Sequence, residues 1–262
     1  MLRKVLCLTV ILLGVSVALA SAQSVLVMSD FNDMEGWTPA SGDWEVDGNR
    51  LHQRSSSALM ARVDHEIPDE TVYEIRFNVR YEDGGYKSEQ DLVNQIFHAG
   101  FGVHVGLANP LLGVESWGAG ESYLLWLNLD TRGQTAEQYP DHFGLRAQVY
   151  ESQGPVQMDL VTADWVEREL GSEKLSIDIP AALRAAGIHL AISDVEPYLG
   201  HEIPMRIQVN NRTGTVRVAD PTASVWYRLP LDANVLRAGD YLALRTNSLS
   251  VSFGDFRIVS AN

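Results

Sequence analysis

A single cysteine stands in the 262 residues, and it is Cys7, close to the start. Disulfides therefore cannot hold this chain together, and no thiol nucleophile is available beyond that point. Long apolar runs are nearly as scarce. The only one, Val5 to Ala20, is shorter than the roughly 20 residues that span a bilayer. It follows a basic pair, Arg3 and Lys4, and ends in small residues at Ala18, Ala20 and Ala22. Basic head, apolar middle and Ala-x-Ala end make the three-part pattern of a cleavable secretory signal. We read residues 1–22 as that signal, with a mature start at Ser21 or Gln23. The expected location is secreted or periplasmic, with no membrane span once the signal is removed. Cys7 lies before the apolar run ends, so a lipid-modified cysteine is not expected.

Positive charge is also short. Without Arg3 and Lys4, 34 acidic residues face 18 basic ones, a net charge of −16. Nucleic acid and anionic membranes need a positive face, so neither is expected as a partner. Such acidity suits a soluble exported protein, or one that binds divalent cations.

Helical periodicity is rare as well. "PAALRAAG" (180–187) and "DANVLRAG" (232–239) each offer one or two turns. Two-residue alternation fills most of the rest. "VYEIRFNVRY" (72–81) sets Tyr73, Ile75, Phe77, Val79 and Tyr81 against Glu74, Arg76, Asn78 and Arg80. In "FGVHVGL" (101–107), Phe101, Val103, Val105 and Leu107 are expected inward. In "ESYLLWLNLD" (121–130), Tyr123, Leu125, Leu127 and Leu129 form a core row. In "FGLRAQVYE" (143–151) the core row is Leu145, Ala147 and Val149. "MRIQVNNRTGTVRVAD" (205–220) reads as a hairpin with its turn at Asn210 to Gly214. One apolar face per strand means antiparallel sheets over a shared core. The expected fold is all-β: a two-sheet antiparallel sandwich with one or two short helices. Residues 23–262 would form a single domain, with an insertion around 162–200.

Both ends of the mature chain carry further marks. It begins "SDFNDMEGWTPASGDWEVDGNRLHQ" and closes "LRTNSLSVSFGDFRI". These stretches resemble the concanavalin A-like lectin and glucanase superfamily, in its laminin G-like and secreted sugar-hydrolase-like branches. The resemblance implies a jelly-roll sandwich, one sheet convex and one concave, often with carbohydrate on the concave side. It also invites a search for glucanase chemistry. Retaining members carry E-x-D-x-x-E on one strand, which sets carboxylates on one face at nucleophile–acid spacing. No such run occurs here. Glu167 and Glu169 lack the third acid, and Glu115 and Glu121 are separated by glycines. No G-x-S-x-G nucleophile elbow occurs either. No catalytic residue is assigned, and any hydrolase would need a carboxylate pair assembled from separate strands.

Metal ligation has two candidates. The seven histidines show no H-E-x-x-H or close helical pair, so zinc is not expected. Calcium needs several oxygens. If the chain ends lie side by side, Asp30, Asp33 and Asp255 would supply them, as related sandwiches do near their termini. The bland reading makes Asp30 and Asp33 turn formers and Asp255 the end of a bulge after Gly254.

The polar row of the middle strands holds His104, Trp126, Asn128, Arg146 and Gln148, each opposite a core row on successive strands. A sugar site needs an aromatic plate for C–H groups, with amide and charged donors for hydroxyls. This row supplies both. Either it is a glycan-binding surface, or Trp126 is satellite core beneath a loop or the insertion. Three function classes follow: a non-catalytic carbohydrate binder, a structural protein that meets protein partners in an exported layer, and a hydrolase with an unfamiliar carboxylate pair.

Overall fold

The computed structural model describes residues 23–84, 99–108, 110, 118–130, 137–138, 144–161, 176–178, 202–219 and 226–261. Residues 1–22, expected to be a signal, the stretch 180–187 and nearly all of the expected insertion at 162–200 lie outside them. The described strands form two antiparallel sheets. Sheet A contains β1 (Val25–Ser29), β3 (Trp44–Asp47), β4 (Arg50–Gln53), β6 (Val72–Gly84), β12 (Glu202–Asn210), β13 (Thr215–Ala219), β14 (Trp226–Pro230) and β16 (Leu249–Ser260). Sheet B contains β2 (Trp37–Ser41), β5 (Ala61–Glu66), β7 (Gly100–Leu107), β8 (Gly120–Asp130), β9 (Gly144–Gly154), β10 (Met158–Leu160), β11 (Ser176–Asp178) and β15 (Tyr241–Asn247). Sheet A runs β14-β13-β12-β6-β16-β4-β3, with β1 also on β16. Sheet B runs β10-β9-β8-β7-β15-β5-β2, with β11 also on β9.

The inward rows make one core between the sheets. Tyr73, Ile75, Phe77, Val79 and Tyr81 of β6 are all buried in it. So are Phe253, Phe256 and Ile258 of β16, and Phe101, Val103, Val105, Tyr123, Leu125 and Val149 from sheet B. The Phe77 ring centroid lies 5.9 Å from that of Phe253 and 6.4 Å from that of Phe256. Trp37 meets Phe256 edge-on at 4.8 Å. Burying one such side chain stabilises the fold by roughly 1.5–3 kcal/mol. Without disulfides, this burial is the main source of stability.

Leu107 departs from expectation. It leaves the central core and joins Ala119 and Ala243 in a small cluster. Gly106 has φ +74°, and the pairing of β7 with β15 shifts register between Tyr241 and Ala243. A bulge there breaks the two-residue alternation. The hairpin at 205–220 forms as β12 and β13, paired from Ile207↔Val218 to Asn210↔Thr215. The segment 232–239 yields one helix, α1 (Ala233–Ala238), whose N-terminus is capped by Asp232 accepting from the Asn234 N–H at 2.7 Å. β1 pairs with β16 as far as Ser29↔Phe256, so the first described strand lies beside the last.

Candidate functional site

The polar row assembles on the face of sheet B that looks away from the core. Cross-strand pairing sets Arg62, Arg245, Gly102, Trp126 and Gln148 along one rung. The next carries Asp64, Ala243, His104, Leu124 and Tyr150; the one on the other side carries Asn247, Gly100, Asn128 and Arg146. The five residues expected from the sequence therefore share one face of three adjacent strands. Arg62, Asp64, Arg245 and Asn247 were not anticipated. They lie on β5 and β15, far away in sequence, and only strand order makes them neighbours.

Trp126 lies against the two glycines of β7. A Cβ added at Gly100 would fall 2.6 Å from two atoms of the indole, and one at Gly102 would fall 2.9 Å from a third. The absent side chains are what let the ring settle onto the sheet. Yet the ring is only 2 % exposed, and Leu124 and Tyr150 form an apolar cluster with it, backed by Met158 and Leu160. His104, Asn128 and Gln148 are buried too, while Arg146 is half-buried. Trp126 thus has a packing role in this state. A ligand reaches the indole only if the face opens.

The ionisable part of this face is tightly specified. The Arg245 Nη1–H donates to His104 Nε2 at 2.9 Å, and a guanidinium has no acceptor to offer in return. His104 therefore carries its proton on Nδ1 and donates it to Ser122 Oγ at 3.1 Å. Burial, then the charges of Arg245 and Arg62, hold the imidazole well below its ordinary pKa and so neutral. Arg62 Nε and Asp64 Oδ1 form a buried ion pair at 3.0 Å. Burial pushes the Asp64 carboxyl up to about 7, against the opposing pull of Arg62 and Arg245. Burial likewise lowers Arg245, to about 9. Tyr150 Oη donates to Gln148 Oε1 at 3.0 Å.

The expected calcium ligands do not converge. Although β1 and β16 are neighbours, the Asp30 side chain turns back to accept from the Asn32 N–H, and Asp33 accepts from the Glu35 N–H at 2.9 Å. Asp255, at φ +51° in a β16 bulge, accepts from Asn78 Nδ2 at 2.8 Å. Among the described residues, no three His, Cys, Asp or Glu side chains are grouped to hold a metal ion. Local turn chemistry has taken up Asp30 and Asp33, and a cross-strand amide has taken up Asp255.

A cavity of about 320 Å³ opens elsewhere, lined by Tyr123, Glu151, Asp159, Leu160, Val161, Pro230, Leu231 and Asp232. Glu151 and Asp159 are directly paired across β9 and β10. Burial, then the nearby Asp232, Asp159 and Glu121, raises the Glu151 pKa. Tyr123 Oη accepts from the Asp232 N–H at 3.0 Å.

No protein-family model matches the chain, and no curated protein matches it. Solved structures do. A point mutant of the Emp46p carbohydrate recognition domain superposes with a TM-score of 0.51 at 9% identity, over 89% of this chain and 94% of that one. A protein of unknown function with a galectin-like fold from Bacillus subtilis gives 0.50 at 9% identity, over 91% and 98%. The CBM2 module of the evolved Dit of Lactobacillus casei BL23 phage J-1 gives 0.50 at 9% identity, over 92% and 97%. At such identities the likeness concerns the fold: this is a lectin-like, jelly-roll β-sandwich. Among the described residues no helix is long and apolar enough to cross a membrane.

Proposed function

We propose that this is an exported, lectin-like protein that binds carbohydrate on the outer face of sheet B. The observation that carries the reading is Trp126 laid against Gly100 and Gly102, among His104, Asn128, Gln148 and Arg245. An indole on a flat floor presents its π-face to sugar C–H groups, and the surrounding amides and guanidinium suit hydroxyls. The carbohydrate recognition and carbohydrate-binding modules among its structural neighbours support the same class. The ligand enters when the covered face opens, and binding shifts that equilibrium by its affinity for the open state. The test is a glycan array with the purified protein, repeated with Trp126→Ala. Losing an aromatic anchor weakens binding by about 2 kcal/mol or more, some thirtyfold. A wild type that binds no glycan, together with a strongly destabilised Trp126→Ala, leaves the ring as satellite core and ends the reading.

A second reading rests on the carboxylate-lined cavity. Glu151, raised in pKa, faces Asp159 and Asp232 around a space that takes a small ligand. Two carboxyl groups facing one space are the basic equipment of glycoside hydrolysis. Hydrolysis of any glycan found to bind, abolished in Glu151→Gln, would favour it; intact product after prolonged incubation would dismiss it.

A further inference from the structure

The outer face of sheet A separates its charges along the sheet. At the Arg50–Arg80 end of the sheet the arginines are matched. Arg50 and Arg80 each reach Glu202 Oε1 at 2.8 Å, and Arg54 pairs with Glu45 and Asp47. Further along β12, β13 and β14, among the described residues, arginines outnumber carboxylates. Pairing aligns Arg257, Arg76 and Arg206 on one rung, and Glu74, Gln208, Arg217 and Arg228 on the next. Five guanidinium groups share these rungs with one carboxylate. That carboxylate, Glu74, is buried and already engaged by two of them: Arg76 Nε donates to it at 2.8 Å and Arg206 Nε at 2.6 Å. Arg217, Arg228 and Arg257 are exposed.

The patch is also held in shape. Trp226 projects from β14, and the guanidinium carbons of Arg206 and Arg217 lie 5.1 and 5.0 Å from its ring centre. Cation–π contact of this kind fixes the orientation of a side chain that is otherwise free to wander. The Arg217 Nη1–H also donates to Gln208 Oε1 at 3.1 Å. An acidic protein that gathers fixed arginines has built a local anion site against its own overall field. Guanidinium forks match planar or tetrahedral oxyanions, giving two parallel hydrogen bonds where an ammonium gives a point contact.

We propose that this face is a second binding surface, for an acidic carbohydrate whose carboxylate or sulfate group sits between the neighbouring Arg217 and Arg228. A sugar fits better than a nucleic acid. The patch spans two rungs of a few strands, enough for one or two charged groups, whereas a polyphosphate would run on into the acidic remainder of the molecule. The surface lies on the opposite sheet from Trp126 and is independent of it.

Binding to immobilised polygalacturonate and dextran sulfate tests this, with methyl-esterified pectin and dextran as uncharged counterparts. Wild type should bind at least one acidic polymer, ignore its uncharged form, and release it as salt rises above physiological strength. The double variant Arg217→Gln/Arg228→Gln, at exposed positions, should melt like wild type and bind roughly tenfold weaker for each guanidinium removed. Arg54→Gln, on the matched side of the same sheet, should leave binding unchanged. Absence of binding to both acidic polymers, or undiminished binding by the double variant, overturns the site. Equal binding of a single-stranded oligonucleotide or polyglutamate overturns the carbohydrate assignment.

Discussion

Gly102→Ala is the sharpest probe of the floor beneath Trp126. The new methyl would sit 2.3 Å from the Leu125 carbonyl oxygen, 2.9 Å from Cε3 of Trp126 and 3.1 Å from Cδ1 of Leu124. Real Cβ contacts below 3.0 Å are essentially never seen, so something has to move. The carbonyl belongs to the partner strand β8, directly across from β7, and cannot swing aside as a long side chain would. Either the strands part or the ring lifts off the sheet. Overpacking of this kind costs roughly 1–3 kcal/mol. For a domain of this size, that is a fall in Tm of roughly 3–10 °C. Gly154→Ala is the matched control, because a Cβ there meets nothing within 4 Å. It should stay within about 0.5 kcal/mol of wild type, the range of an ordinary surface change. Thermal and urea melts of the two variants decide the matter, with tryptophan emission as a second readout of ring displacement. If Gly102→Ala melts with wild type, or if both alanines cost the same, the indole does not rest where the geometry puts it.

Phe77→Ala removes a ring packed against Phe253 and Phe256, and should destabilise by roughly 3–5 kcal/mol in urea melts; a loss below about 1 kcal/mol would refute its core placement. Chelation should leave the wild-type Tm unchanged, since Asp30, Asp33 and Asp255 are engaged separately; a fall reversed by calcium would overturn that. Asp64 sets a pH dependence of definite sign. Its folded pKa, about 7, lies above the ordinary 3.8, so the folded state keeps a proton that the unfolded chain releases. The stability from this group is complete below about pH 4 and is lost as pH rises through 7. Melts of wild type and Asp64→Asn across that window should diverge steadily, wild type losing ground as pH rises; parallel curves would show a carboxylate ionised throughout.

Much of the architecture was legible because its physical code is local. A period of two with one apolar face survives in β6 without exception, since every inward position faces the same core. The hairpin of β12 and β13 was equally plain, its polar turn lying between two apolar rows. Leu107 was misplaced because one glycine with φ +74° shifts the phase of everything after it. Alternation predicts faces only between bulges, and a single sequence does not distinguish a bulge glycine from a floor glycine. Gly100, Gly102 and Gly106 all stand on β7; the first two accommodate the indole and the third breaks the strand.

The sites were less legible, for a different reason. His104, Trp126, Asn128, Arg146 and Gln148 could be gathered because β7, β8 and β9 follow one another in the chain. The residues that fix their chemistry come from strands inserted between and beyond them. Arg245 sets the His104 tautomer from β15, 141 positions away. The arginines opposite are more scattered still, drawn from β6, β12, β13, β14 and β16. Net charge, being a sum over residues, hides such segregation: a chain at −14 can set five arginines on two rungs with one buried glutamate. Formal charge argues against an extended polyanion track, but it has no bearing on a patch two rungs wide. What decides is the screening length. At physiological salt it is about 8 Å, so the acidic groups on the far sheet, a core's thickness away, hardly weaken an anion seated on sheet A. Lowering the salt lengthens that reach and lets the rest of the molecule repel. Affinity for an acidic sugar should accordingly pass through a maximum with ionic strength, where a uniformly basic surface would show only a steady decline.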